Sequence, residues 1–216
     1  MGGTFDPVHY GHLRLADEVA HALAPIEVRL VPARDPPHRG APHASAPDRV
    51  AMLRLALAEF PRLGLDTREI ERTGKSYTVL TLEGLRAEAP RRSLALIVGA
   101  DVLLALTTWH RWREVFELAH LIVIERPGVA LAIAAMPPQL AREWERRLAA
   151  DPGVLRREPA GAIVVQAVTP NAISATAIRA ALARGAYGEV RGLLPPAVLA
   201  YIQTNRLYGP RPQDAT

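Results

Sequence analysis

The sequence contains no cysteine. Disulfides, thiolate zinc sites and cysteine nucleophiles are excluded together, and the absence fits a reducing cytoplasm. Lysine is almost missing as well. Lys75 is the only one, so the cations are nearly all arginine, whose planar fork suits phosphate. No apolar run reaches the roughly 18–20 residues needed to cross a bilayer. The most apolar stretch, LALIVGADVLLAL at 94–106, is interrupted by Asp101. No segment reads as a signal peptide, because the first residues are polar and glycine-rich rather than basic and then apolar. There is no block of five or more like charges and no basic stripe interleaved with aromatics.

What is present describes a folded protein. The 216 residues are 49% hydrophobic and 22% charged, near the average for a globular chain and enough to bury a substantial core. The net charge of +4 admits nucleic acid or an anionic, phosphorylated small substrate as partner. Abundant alanine beside the arginine points to a general compositional bias, so neither nucleic acid nor a membrane is the expected partner. The sequence gives no indication of oligomeric state.

Apolar periodicity predicts helices over 11–24, 48–60, 76–89 (with Ser76 as N-cap), 137–150, 174–185 and 195–205, and a short helix after residue 99. Short apolar runs at 26–32, 94–99, 121–128 and 162–168 read as strands, and 63–72 reads as extended. The proline-rich stretch 33–47 cannot be regular, and loops of that length are often functional. Strands alternating with helices predict an α/β fold, a Rossmann-like doubly wound parallel sheet with helices on both faces. Residues 1–208 are expected to form one domain and 209–216 a disordered tail. Ligands of such sheets bind at the carboxyl ends of strands, so the turns leaving strands carry the function.

The first such turn is GGTFDPVHYGH at 2–12. Glycine lets backbone approach a ligand closely, and His9 and His12 lie three apart at a helix start, where free N–H groups favour phosphate. Spacing alone also allows two solvated histidines, or a zinc site with a third. The second turn is NAISATAIR at 171–179, with Ser174 and Thr176 at a helix start and Arg179 one turn beyond Thr176. Taken alone, Ser174 reads first as a plain N-cap. GKS at 74–76 is not a P-loop, since residue 69 is Glu where that motif needs glycine.

His9-Tyr10-Gly11-His12 resembles the (H/T)xGH signature of the nucleotidyltransferase superfamily, and GGTFDPVHYGHL resembles the bacterial nicotinate-nucleotide adenylyltransferases in particular. The resemblance runs from residue 2 to about 208. It implies transfer of AMP from ATP to nicotinate mononucleotide, releasing pyrophosphate, in cytoplasmic NAD biosynthesis. ATP is then a co-substrate, and Mg²⁺ is held mainly by its phosphates with no protein metal site. By the same resemblance His9, His12 and Arg179 are catalytic. Gly3, Thr4, Phe5, Gly11, Gly99, Asp101, Ile173, Ser174 and Thr176 bind ATP, with Asp101 on the ribose hydroxyls. Ala175 replaces a serine of the family's ISSTxIR motif. His38 and Arg39 in PPHR, Ser76, Tyr77 and Thr78 in SYT, and Trp109 and His110 in TWHRW bind the substrate; Arg39 stands where lysine is commoner. Nicotinamide-mononucleotide and phosphopantetheine adenylyltransferases, and a nucleotide-binding regulator without turnover, are the alternatives.

The family's glycine turn follows a central strand, whereas here the turn begins directly after Met1. The first strand is therefore expected to be missing from this sequence and the true start to lie upstream. A missing strand would leave ladder groups unpaired at roughly 1–3 kcal/mol for each buried one.

Overall fold

The computed structural model describes residues 1–23, 27–36, 40–125 and 133–209. In chain order the elements are β1 (Gly2–Gly3), α1 (Tyr10–Ala22), β2 (Val28–Pro32), α2 (Ala46–Leu57), β3 (Leu63–Leu65), α3 (Arg68–Glu71) and α4 (Thr78–Glu88). There follow β4 (Ala95–Gly99), α5 (Ala100–Leu104), α6 (Val115–Leu118), β5 (His120–Glu125), α7 (Pro138–Arg147), α8 (Val154–Arg157), β6 (Ile163–Ala167), α9 (Ala175–Ala183) and α10 (Pro196–Thr204). By internal contacts they fall into two compact units, residues 3–73 with 171–216, and residues 74–170 with 1–2. No described helix is long and apolar enough to cross a membrane.

The first unit holds Gly3 of β1 with β2 and β3, in a sheet of order β1-β2-β3 whose β2 and β3 are parallel in the register Val28↔Leu63 to Leu30↔Leu65. The strand expected to be missing is represented by two residues, and the Gly3 carbonyl accepts from Ala33 N–H at 2.9 Å. α2 starts at Ala46 rather than Asp48. Ser45 caps it by accepting from Asp48 N–H at 3.2 Å, and Pro47 suits the first turn, where no intrahelical N–H is needed. Its buried face, Val50, Met52, Leu53 and Ala56, packs on α10 and β3. The extended reading of 63–72 holds only to Leu65. The Asp66 carboxylate then accepts from the Arg68 backbone N–H at 3.1 Å and turns the chain into α3.

In the second unit the β-branched runs of β4, β5 and β6 form a parallel sheet, with Ala95 opposite His120 and Leu121 opposite Ile163. Strands covered on both faces need apolar residues throughout, and all of β5 except Glu125 is buried. Leu140 and Trp144, one turn apart on α7, close the core with Phe116 and Leu103. α4 begins at Thr78 behind Tyr77, so Ser76 lies ahead of the helix as a buried residue and is not its cap.

His120 is fully buried at the start of β5. Its Nδ1 accepts from Ala162 N–H at 3.0 Å, so the proton sits on Nε2, which donates to the Glu158 carbonyl at 2.9 Å. Burial outweighs that last bond and lowers its pKa.

Candidate functional site

In the first unit the chain leaves β1 through Thr4 and a left-handed Phe5 (φ 51°), passes a cis Asp6–Pro7 peptide and enters α1 with His9 as its N-cap. The His9 and His12 rings stack with centroids 3.7 Å apart, and the Phe5 ring meets His12 edge-on at 5.1 Å. Gly11 makes this possible. A Cβ there would lie 2.9 Å from His9 Nδ1 and 3.4 Å from the Ile173 Cβ, so any side chain displaces the imidazole. His9 is only 4% exposed, and burial lowers its pKa to about 4. It is therefore neutral at pH 7 and offers a hydrogen bond rather than a fixed charge.

The turn is braced from inside. Asp6 Oδ2 accepts from His43 N–H at 2.7 Å, with His43 Nδ1 3.3 Å away; Oδ1 accepts from Ala44 N–H at 3.1 Å and Tyr208 O–H at 2.7 Å. Burial alone would raise the Asp6 pKa, yet the bonds from Tyr208, His43 and Ala44, with the charge of Arg179, bring it below the usual carboxylate value. Arg49, 1% exposed, donates from Nη1 to the carbonyls of Thr4 and Ala33, each at 2.7 Å.

α9 brings the second turn to the first. Asn171 Oδ1 accepts from Ile173 N–H at 3.0 Å, and Ser174 caps α9 by backbone position alone, with no bond from its hydroxyl to the helix. Ser174 and Thr176 are exposed. Arg179 donates to the Asp6 carbonyl at 2.8 Å and to Thr176 Oγ1 at 3.3 Å, so the helix arginine rests on the glycine turn.

The second unit carries a separate cluster. β4 ends at Gly99, where a Cβ would stand 2.7 Å from Asp101 Oδ1, so the carboxylate folds back over the strand end. Asp101 itself is exposed. The Tyr77 and His110 rings lie 4.6 Å apart, tilted by 36°. Trp109 packs part-buried on the core, whereas Trp112 lies within it. Arg111, left-handed at φ 53°, pairs with Glu114 and at 2.6 Å with Glu83 of α4, tying the turn that carries His110 to the helix that follows Tyr77.

Residues 1–181 match the model of the cytidylyltransferase-like family. A protein of Halorhodospira halophila named "Probable nicotinate-nucleotide adenylyltransferase" is 51% identical over 97% of this chain and 94% of its own. One of Dechloromonas aromatica with the same name is 52% identical over 96% of this chain and 95% of its own. The chain belongs to the nicotinate-nucleotide adenylyltransferase family. Among solved structures, Plasmodium falciparum nicotinic acid mononucleotide adenylyltransferase complexed with NaAD superposes with a TM-score of 0.69 at 17% identity, covering 96% of this chain and 94% of that one. The same protein complexed with APC gives 0.67 at 18%. These likenesses establish the α/β Rossmann-like fold.

Within this adenylyltransferase chain the residues singled out in the sequence divide between the two units. Gly3, Thr4, Phe5, His9, Gly11, His12, Ile173, Ser174, Thr176 and Arg179 belong to the first; Ser76, Tyr77, Thr78, Gly99, Asp101, Trp109 and His110 belong to the second. His38 and Arg39 lie outside the described residues. Sequence reasoning missed Asp6, Arg49, Tyr208 and Arg111. One signal was available for Arg49. It falls at the helical spacing of Met52, Leu53 and Ala56, on the buried stripe of α2, where an arginine must find internal acceptors.

Proposed function

We propose that this chain transfers the AMP moiety of ATP to nicotinate mononucleotide, forming nicotinate adenine dinucleotide and pyrophosphate, as a cytoplasmic enzyme of NAD biosynthesis, with residues 1–208 as its nucleotidyltransferase domain. The observation that carries the reading is the cluster of stacked His9 and His12 with Arg179 docked on the Asp6 carbonyl. A helix start, two imidazoles and a guanidinium form a site for a polyphosphate.

The attacking group is a phosphate oxygen of nicotinate mononucleotide, already anionic at neutral pH, so no side chain need remove a proton. It adds in line to the α-phosphorus of ATP as the bond to the bridging oxygen breaks and pyrophosphate departs. Catalysis then consists of positioning and charge stabilisation. Neutral His9 and its partner His12 donate to phosphate oxygens, and Arg179 and the exposed hydroxyls of Ser174 and Thr176 hold the triphosphate. Gly3, Thr4, Phe5 and Gly11 shape the turn beneath it. Asp101 pairs with the ribose diol, with Gly99 beneath its carboxylate. Trp109, His110, Ser76, Tyr77 and Thr78 receive the pyridine ring and its carboxylate, and His38 and Arg39 bind substrate phosphate.

Mg²⁺ would be held mainly by the phosphate oxygens of ATP with retained waters, where it would offset phosphate charge.

The test is pyrophosphate release from ATP and Mg²⁺ with nicotinate mononucleotide, nicotinamide mononucleotide or phosphopantetheine. Turnover is expected to be highest with the first. Preference for another acceptor would replace the substrate assignment, and no release from any would make the chain a nucleotide-binding regulator.

A further inference from the structure

The Asp6 carboxylate has no role in the chemistry above, yet it is among the most fully bonded groups in its unit. It is 5% exposed and ties three distant segments together, through the amides of His43 and Ala44 at the end of the proline-rich loop, the hydroxyl of Tyr208 near the carboxyl end, and its own place in the glycine turn. Its main-chain carbonyl holds Arg179 at 2.8 Å. Two arginines feel its charge, Arg179 and the buried Arg49. Arg49 in turn grips Thr4, two residues upstream.

We propose that Asp6 is the positioning residue of the triphosphate site, and that Tyr208 works with it. Asp6 touches no reacting atom. It fixes where the turn stands, and so where the Asp6 carbonyl aims the Arg179 guanidinium and where His9 enters α1. This rests on the adenylyltransferase reading.

The geometry makes the two residues separable. The two backbone amides bind different carboxylate oxygens of Asp6. A carboxamide in its place has one oxygen and one NH₂, so in either orientation the NH₂ faces one of those N–H donors. Asp6→Asn therefore unpairs one of these two amides as well as removing the charge. Tyr208→Phe removes one O–H donor and leaves both amides bonded.

Tyr208→Phe in the full chain is expected to weaken ATP binding, measured by calorimetric titration with ATP and Mg²⁺, by about three- to tenfold, less than the full loss of a hydrogen bond to a charged group because the effect reaches ATP only through the position of Arg179. The KM for nicotinate mononucleotide stays within about twofold. Asp6→Asn, where it folds, weakens ATP binding further. In a double-mutant cycle, Tyr208→Phe adds less in an Arg179→Ala background than in the wild type, because the effect passes through Arg179. A merely structural role would lower the melting temperature and move both substrates' constants together. Unchanged ATP affinity in Tyr208→Phe, parallel loss for both substrates, or strict additivity with Arg179→Ala overturns the proposal. If the wild type releases no pyrophosphate, the proposed function falls, and the ATP titration still decides the role of Asp6.

Discussion

In the turn around residues 3–12 the groups proposed to bind the triphosphate are braced from the interior. Asp6 and Arg49 are buried and bonded to main-chain atoms, and His9 is packed into neutrality. Around Tyr77 and His110 the braces lie at the surface, where Arg111 pairs with Glu83 and Glu114, side chains a third to a half exposed. The two constructions respond to different stresses. Interior braces resist salt but fail when a buried group must take up a proton. Surface ion pairs contribute little each and are screened by salt.

Acid makes the largest difference between them. The folded pKa of His9 is about 4 against an ordinary 6.5, so the unfolded chain binds a proton that the folded one refuses. The stability held by its neutral form is complete above pH 6.5 and is lost as pH falls towards 4, a decline of roughly 3 kcal/mol from this residue between pH 7 and pH 4. Urea unfolding across that range should be flatter by this amount in His9→Gln. An unchanged pH dependence would mean that His9 is solvated.

The next effect is on turnover. His12→Ala should lower kcat/KM by about 10² or more, as expected for loss of a donor that stabilises developing charge. Near-normal rates in pyrophosphate release would remove His12 from the site. The smallest change belongs to the surface brace. Arg111→Ala should raise the KM for nicotinate mononucleotide about threefold and leave the KM for ATP alone, and molar salt should produce part of the same rise in the wild type. A larger effect on ATP would contradict the assignment of Tyr77 and His110 to the nicotinate substrate.

The groups of the proposed triphosphate site could be read in the sequence because they are adjacent there. Gly11 between His9 and His12, and Thr176 three residues before Arg179, keep their meaning once folded, since one helical turn brings them together. The braces could not be read in this way. Asp6 and Tyr208 are 202 residues apart, and Asp-Pro in a glycine turn reads as turn chemistry rather than as a buried anion. The main strands and the long helices followed from apolar periodicity. Two of the misplaced boundaries, at Ala46 and in 63–72, arose where a short side chain bonded to nearby backbone, Ser45 in one case and Asp66 in the other.

His120 offers a means of watching one unit alone. An imidazole that accepts from an amide at Nδ1 and donates from a buried Nε2 to a carbonyl has a single tautomer and a proton shielded from exchange. That ring N–H should give a sharp, slowly exchanging proton resonance far downfield of the amide envelope. His120, Glu158 and Ala162 all belong to the second unit, so the signal would report β4, β5 and β6 unfolding, whatever is bound elsewhere in the protein.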